Sequence, residues 1–202
     1  MKKQFLLSAM MIMAIFCIVD SQTIFSVRPG LNLNSASIGF QSKNLQPYVG
    51  LKFANVNMTS EYKDPSYPAD NSKTETRLHI YMPCVGAKLY FKGTEMVKPY
   101  VMATVYKPFA FGKQLEDGTE DESFKKSLNN LKIWAAELGF GSEYFLHPQF
   151  SLGGEFGLRW ANIKDKYESS SSTYSLTEKF GIGFSYVAVS LNFYFMKKNT
   201  NG

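Results

Sequence analysis

Two cysteines, two histidines and no long apolar stretch after residue 22 limit what this 202-residue chain can be. Cys17 lies in the N-terminal segment, so the remainder holds Cys84 alone and has no internal disulfide. Cys84 is expected to be a small apolar residue, buried or facing lipid. His79 and His147 sit in neither an H-x-S nor an H-E-x-x-H arrangement. Hydrolytic sites need a His beside a nucleophile and an orienting acid, so no catalytic residue is expected. No Cys, His or carboxylate cluster has ligand spacing, so no metal and no cofactor is expected. The acidic run "EDGTEDE" (116–122) lacks the spacing of a calcium loop and reads as a solvated loop. "GFGS" and "GIGF" are followed by neither a Lys nor a helix, which excludes a phosphate loop. Beyond residue 22 no run approaches 18 apolar residues, so no transmembrane helix is expected. Helical spacing is nearly absent too: only "ESFKKSLNNLKIW" (122–134) accommodates one short turn of helix.

Charge is also sparse. Charged residues make up 19% of the chain, beside 17 Phe and 12 Tyr, a balance that excludes disorder. The net charge of +5 is mild, and the basic residues are scattered, so nucleic acid is not an expected partner.

The N-terminus has its own layout. "MKKQFLLSAMMIMAIFCIVDSQ" opens with Lys2 and Lys3, continues as an apolar run from Phe5 to Val19, and ends polar. This is the pattern of a cleavable secretory signal peptide over 1–21, with Val19 at −3 and Ser21 at −1. Its apolar run is short for a spanning helix. Phe16 before Cys17 is too large for a lipoprotein signal. Cleavage leaves 20 basic and 16 acidic residues, a net charge of +4.

The rest reads as strands and turns. "QFSLGGEFGLRWAN" (149–162) shows the period-two alternation: Phe150, Leu152, Phe156, Leu158 and Trp160 share one face, while Ser151, Glu155 and Arg159 share the other. Eight strands are expected, at about 23–32, 36–42, 46–60, 76–91, 97–110, 131–146, 150–165 and 178–195. Links at 43–45, 92–96 and 147–149 are short. Those at 61–75, 111–130 and 166–177 are long and polar. A soluble sandwich has no reason to sort its loops by end, whereas an outer-membrane barrel does.

Aromatic placement supports that reading. Trp134 and Trp160 fall at one end of their strands, with Phe109, Phe111, Phe180 and Phe184. Tyr48, Tyr90, Phe91, Tyr100, Tyr144, Phe150, Phe193 and Phe195 fall at the other. Two rings at strand ends suit the two membrane interfaces; Trp134, Trp160, Phe150, Phe193 and Phe195 are the expected girdle. Within the third and fourth strands the apolar parity changes: Val49, Leu51 and Phe53 give way to Val56 and Met58, and Leu78, Ile80 and Met82 to Val85, Ala87 and Leu89. Each change reads as a β-bulge, the second marked by Pro83.

The pair "RLHIYMPCVGAKLYF" and "KPYVMATVYKPFAFG", joined by a short turn, and the terminal strand "GFSYVAVSLNFYF" (183–195) carry a family likeness. With the signal peptide, they make the chain resemble small bacterial outer-membrane β-barrel proteins of the OmpA/OmpX type. The resemblance covers the chain to Phe195 and leaves the polar tail 196–202 outside it. It implies an all-β, eight-stranded, antiparallel up-and-down transmembrane barrel over 22–195, present as a monomer in the outer membrane. It also implies a final strand read by the barrel-assembly machinery, and contact with outer-membrane lipid and lipopolysaccharide.

The lumenal face holds the candidate site. Arg28, Lys52, Glu137, Glu143, Glu155 and Arg159 fall opposite the apolar positions. A Lys or Arg facing lipid near the midplane costs about 2–4 kcal/mol, so these charges must face inward. An eight-stranded barrel has an interior that side chains can fill. A three-residue turn at 147–149 sets Leu146 against Phe150. That register puts Glu137 against Arg159, Glu143 against Gly153 and Glu155 against Gly141. A lumenal ion pair is expected between Glu137 and Arg159, with Lys52 or Arg28 as the partner of Glu155. The expected role is structural or interactive, with a plugged lumen and loops presented to an extracellular ligand. The alternatives are a narrow channel for ions or small apolar solutes, a lipid-modifying enzyme, and a soluble ligand-binding barrel.

Overall fold

The computed structural model describes residues 22–30, 33–63, 65–67, 71–130, 132–168 and 175–195. The expected signal peptide and the tail 196–202 lie outside the described residues. The elements in chain order are β1 (Gln22–Arg28), β2 (Asn34–Gln41), β3 (Leu45–Tyr62), β4 (Ser72–Tyr90), β5 (Val97–Tyr106), β6 (Phe109–Glu116), β7 (Thr119–Glu120), α1 (Glu122–Asn130), β8 (Lys132–His147), β9 (Phe150–Glu168) and β10 (Ser175–Phe195).

The sheet runs β3-β2-β1-β10-β9-β8-β5-β4-β6-β7 and closes on itself through β3–β4. β5 and β6 are two pieces of one stave: β5 pairs with Cys84–Tyr90 of β4, and β6 with Thr74–Tyr81. The break falls at Lys107–Pro108, where Pro108 has no N–H for the ladder. Lys107 still bonds through its N–H to the carbonyl of Pro83, at 3.2 Å. The result is a closed, antiparallel, eight-stave barrel. β7 is a short return off β6, reached through Asp117 and Gly118 at positive φ. The wall is uneven. β1 and β2 have seven and eight residues, whereas β9 and β10 have 19 and 21.

The exposed surface inverts the usual pattern. Val49, Leu51 and Phe53 of β3, Val85 and Leu89 of β4, Val101 and Val105 of β5, and Leu138, Phe140, Leu152, Phe156 and Leu158 of β8 and β9 are all exposed. Lys52, Lys88, Glu137, Glu143 and Glu155 are buried. An apolar band of this extent needs an apolar surrounding.

The staves outlast that band. Along β3 the outer positions change from Val49, Leu51 and Phe53 to Asn55, Asn57 and Thr59, all exposed. The inner positions change from Gln46, Tyr48 and Lys52 to Ala54, Val56 and Met58. β4 follows suit: outer Leu89, Val85 and Tyr81 give way to His79, Arg77 and Glu75, and inner Tyr90 and Lys88 to Met82, Ile80 and Leu78. The ladder between them is unbroken from Leu45↔Leu89 to Tyr62↔Ser72. The two expected bulges are therefore corrected. The change of parity is a change of surroundings, from an apolar one to water, along a strand whose register never slips.

Other expectations are corrected in the same way. The helix is nine residues long. Asp121 caps it by accepting the Ser123 N–H at 2.8 Å; hydrogen bonding from the Ser123 side chain, and then from its N–H, holds the Asp121 carboxyl below the usual range. The strands reach further into the three long links than expected, β3 to Tyr62 and β9 to Glu168. The 147–149 turn is tighter: His147 pairs with Phe150, and a shift between Phe145 and His147 leaves Leu146 out of the ladder.

Candidate functional site

The inner face of the lower barrel is filled by three stacked clusters, each built round one carboxylate. Alternation along β8 and β9 turns Glu137, Glu143 and Glu155 inward, and the antiparallel register brings cations and tyrosines from distant staves to them.

In the cluster nearest the short turns, Glu143 is fully buried. Its Oε1 accepts from Lys88 Nζ at 2.6 Å and Tyr90 Oη at 2.8 Å. Its Oε2 accepts from Ser151 Oγ at 3.0 Å and from Tyr194 Oη. In the middle cluster, Glu155 Oε1 accepts from Arg28 Nη1 at 2.8 Å and Tyr186 Oη at 3.2 Å, and Oε2 from Tyr100 Oη at 2.9 Å. In the third, Glu137 takes Lys52 Nζ on one oxygen and the Arg159 guanidinium on the other. Lys52 also lies 4.7 Å from the Tyr106 ring centroid. Arg159 lies 5.2 Å from that of Phe184 and 4.9 Å from that of Tyr186. Buried charges must be paired and hydrogen-bonded, and each carboxylate here is held by at least two donors.

Glycines make room for the tyrosines. A Cβ at Gly141 would lie 2.7 Å from the Tyr100 hydroxyl, and one at Gly86 2.6 Å from that of Tyr48. Tyr48 closes on Thr104 at 2.5 Å. Above Glu137 an apolar layer begins: Met82, Tyr106 and Ala135 pack together against Leu33, Ala54, Ile80, Cys84 and Ala161. Further out the inner face opens, and Val56 and Met58 are exposed.

The structure brings Glu137 to Arg159, directly opposed in the β8–β9 register. Glu155 is joined by Arg28; Lys52 goes to Glu137 instead, which corrects one of the two partners considered for Glu155. Sequence reasoning missed Lys88. Its signal was there: Lys88 stands between Ala87 and Leu89, where the odd positions from Val85 to Leu89 are apolar, so it shares the inner face with Tyr90.

Trp134, Trp160, Phe193 and Phe195 are exposed on the outer wall, and Phe150 is half-buried there against Phe193, with ring centroids 5.3 Å apart. Trp134 and Trp160 lie diagonally adjacent, opposite Asn162 and Ala136. Phe53, Tyr81, Phe109 and Phe111 continue this upper aromatic zone round the barrel. Tyr48, Tyr90 and Tyr100, expected in the lower ring, are buried in the lumen. Phe184 and Phe180, expected in the upper ring, oppose Arg159 and Ile163 and so belong to the inner face. His79 contacts Asn55 at 2.7 Å on the outer wall, and His147 Nδ1 accepts the Gln149 N–H at the turn. Among the described residues no group of His, Cys, Asp or Glu could hold a metal.

An apolar outer band, a charged inner face, closed antiparallel pairing and one short-turned end together decide the architecture. The chain folds as an eight-stranded transmembrane β-barrel. It is similar to solved bacterial outer-membrane barrels. The Escherichia coli outer membrane protein W aligns at 14% identity over 88% of this chain and 100% of that one, with a TM-score of 0.51. A major outer membrane protein of Thermus thermophilus aligns at 13% identity over 87% of this chain and 100% of that one, at 0.49. Neisserial surface protein A aligns at 14% identity over 87% and 94%, at 0.46. No protein-family model and no curated protein sequence matches the chain. At these identities the likeness to outer membrane protein W concerns the fold alone.

Proposed function

We propose that this protein is a monomeric outer-membrane barrel whose lumen is sealed, and whose role is structural or interactive through the parts of β3, β4, β6, β9 and β10 that extend beyond the bilayer. The observation that carries this reading is the set of three buried carboxylates, each tied to a cation from a different stave. A conducting pore keeps its charges in water, whereas these are withdrawn from it and directly above them lies an apolar layer. The strand ends and loops are what such a barrel offers to a partner outside the cell. Folding of the terminal strand by the assembly machinery belongs to the same reading.

Planar-bilayer recording of the refolded protein tests it. The expected result is no steady conductance above that of the lipid alone. A stable, ohmic conductance in the unmodified protein would refute the sealed lumen and favour the narrow channel. The apolar-solute version of that alternative has one observation behind it: the apolar inner face above the plug, reached over the low wall of β1 and β2.

A further inference from the structure

Three exposed lysines of the long-loop end have an acid beside them: Lys63 pairs with Glu61, Lys73 with Glu75 and Lys125 with Glu120. The outer wall around the β5–β6 break is different. Lys132 and Lys164 are both exposed and directly opposed in the β8–β9 register, and the β9–β10 register continues the row to Lys179. Like charges directly opposed across strands destabilise a sheet. Among the described residues neither Lys132 nor Lys164 has an ion pair. A third ammonium, that of Lys107, lies 5.1 Å from the Phe109 ring centroid and 5.8 Å from that of Trp134.

Two concavities meet at these lysines. Lys107 and Lys132 line a pocket of about 240 Å³ with Phe109, Phe111 and Leu128 of α1. Next to it, an apolar groove of about 590 Å³ runs along the outer wall past Val105, Trp134, Ala136, Trp160, Gly181 and Gly183. The groove exists because β10 presents glycine there: Gly183 stands opposite Trp160, Gly181 stands opposite Asn162, and a Cβ at 181 would meet nothing within 4 Å.

We propose that this part of the wall binds a phosphorylated, multiply acylated glycolipid of the outer leaflet. Its phosphate sits among Lys107, Lys132 and Lys164, and an acyl chain lies in the groove between Trp134 and Trp160. The proposal rests on the membrane reading above. Lysine binds phosphate as a point charge, and three ammonium groups that have no ion pair among the described residues supply the countercharge a phosphate needs. Free phosphate would leave the groove empty, and an uncharged lipid would leave the lysines opposed.

Both tryptophans of the chain line the groove, so intrinsic fluorescence reads the site directly. The protein is folded in phosphatidylcholine nanodiscs, its insertion is checked by heat-modifiable migration, and diphosphoryl lipid A is titrated in. A saturable change in tryptophan emission is expected. Lys132→Gln with Lys164→Gln should weaken the apparent affinity about tenfold or more. Lys43→Gln with Lys92→Gln, at the short-turn end, should leave it unchanged. Phosphatidylglycerol should bind more weakly than lipid A, and inorganic phosphate should not shift the emission. Equal binding by the Lys132/Lys164 variant, or phosphatidylglycerol matching lipid A, would overturn the site. Insertion without any saturable change would overturn the site and leave the membrane reading standing. Failure of the unmodified protein to insert would overturn both.

Discussion

The lower and upper halves of β3 and β4 are the same two strands in the same register, yet they are built inside out relative to each other. Below Phe53 and Tyr81 the outer face is Val, Leu and Phe, and the inner face is Gln, Lys and Tyr. Above them the outer face is Asn, Thr, Arg and Glu, and the inner face is Ala, Val, Met, Leu and Ile. The period of two fixes only that these are strands with two unlike faces. Which face is apolar is set by the surroundings: lipid in the lower half, water in the upper. The aromatic zone of Phe53, Tyr81, Phe109, Phe111, Trp134 and Trp160 marks where one gives way to the other, as interfacial rings do.

The largest expected effect comes from the lower half. Glu137→Gln leaves the buried Lys52 and the half-buried Arg159 without their carboxylate and should cost about 3–5 kcal/mol, with water in the lumen lowering the figure. Urea titration in lipid vesicles measures it. A double-mutant cycle with Arg159→Gln should show clear coupling. A coupling near zero would mean that the pair does not hold the interior closed.

Leu158→Lys places a charge on the lipid face and should destabilise by about 2–4 kcal/mol near the midplane and less toward the interface. Its counterpart above the aromatic zone is Asn57→Lys, also on the outer face, which should change stability by no more than about 0.5 kcal/mol because water already surrounds it. If the two substitutions cost the same, the halves do not differ in surroundings.

Gly86→Ala drives a methyl group against the Tyr48 ring, and overpacking of this kind costs about 1–3 kcal/mol. The same change at Gly154, whose added Cβ would meet nothing within 4 Å, should be nearly silent in the same titration. The smallest effect concerns the upper end alone. Protease added to intact cells should nick the tip at Asp117–Gly118 without altering the heat-modifiable migration of the barrel. Cleavage only after permeabilisation would reverse the orientation.

Much of the lower half is legible from residue order. Alternation in "QFSLGGEFGLRWAN" places Glu155 and Arg159 inside, and the short turn after β8 fixes a register in which Glu137 meets Arg159. The turn itself is one residue tighter than it reads, because a bulge at Leu146 absorbs the difference without disturbing the strands. Contacts between distant staves are legible only in part: Arg28 is one of the two partners expected for Glu155, whereas the pair of Lys88 and Glu143 is not anticipated. Lys88 and Glu143 are 55 positions apart, and Arg28 and Glu155 are 127 apart, so only barrel closure brings them together. The tyrosines mislead for a related reason. Tyr48, Tyr90 and Tyr100 sit near strand ends like interfacial rings, but parity turns them inward, where their hydroxyls reach Thr104, Glu143 and Glu155. The parity change in β3 and β4 reads as two bulges only if lipid is assumed to follow the strands to their ends.

Site-directed spin labelling along the outer face of β3 tests the inversion most directly. Single cysteines at positions 49, 51, 53, 55, 57 and 59, in a Cys84→Ala background, are labelled in vesicles, and their accessibility to oxygen and to a water-soluble nickel chelate is compared. An unbroken register crossing from lipid into water predicts oxygen-dominated accessibility at 49, 51 and 53 and nickel-dominated accessibility at 55, 57 and 59. Lipid-like accessibility persisting through 59, or a lumenal signature at 55 and 57, would contradict it.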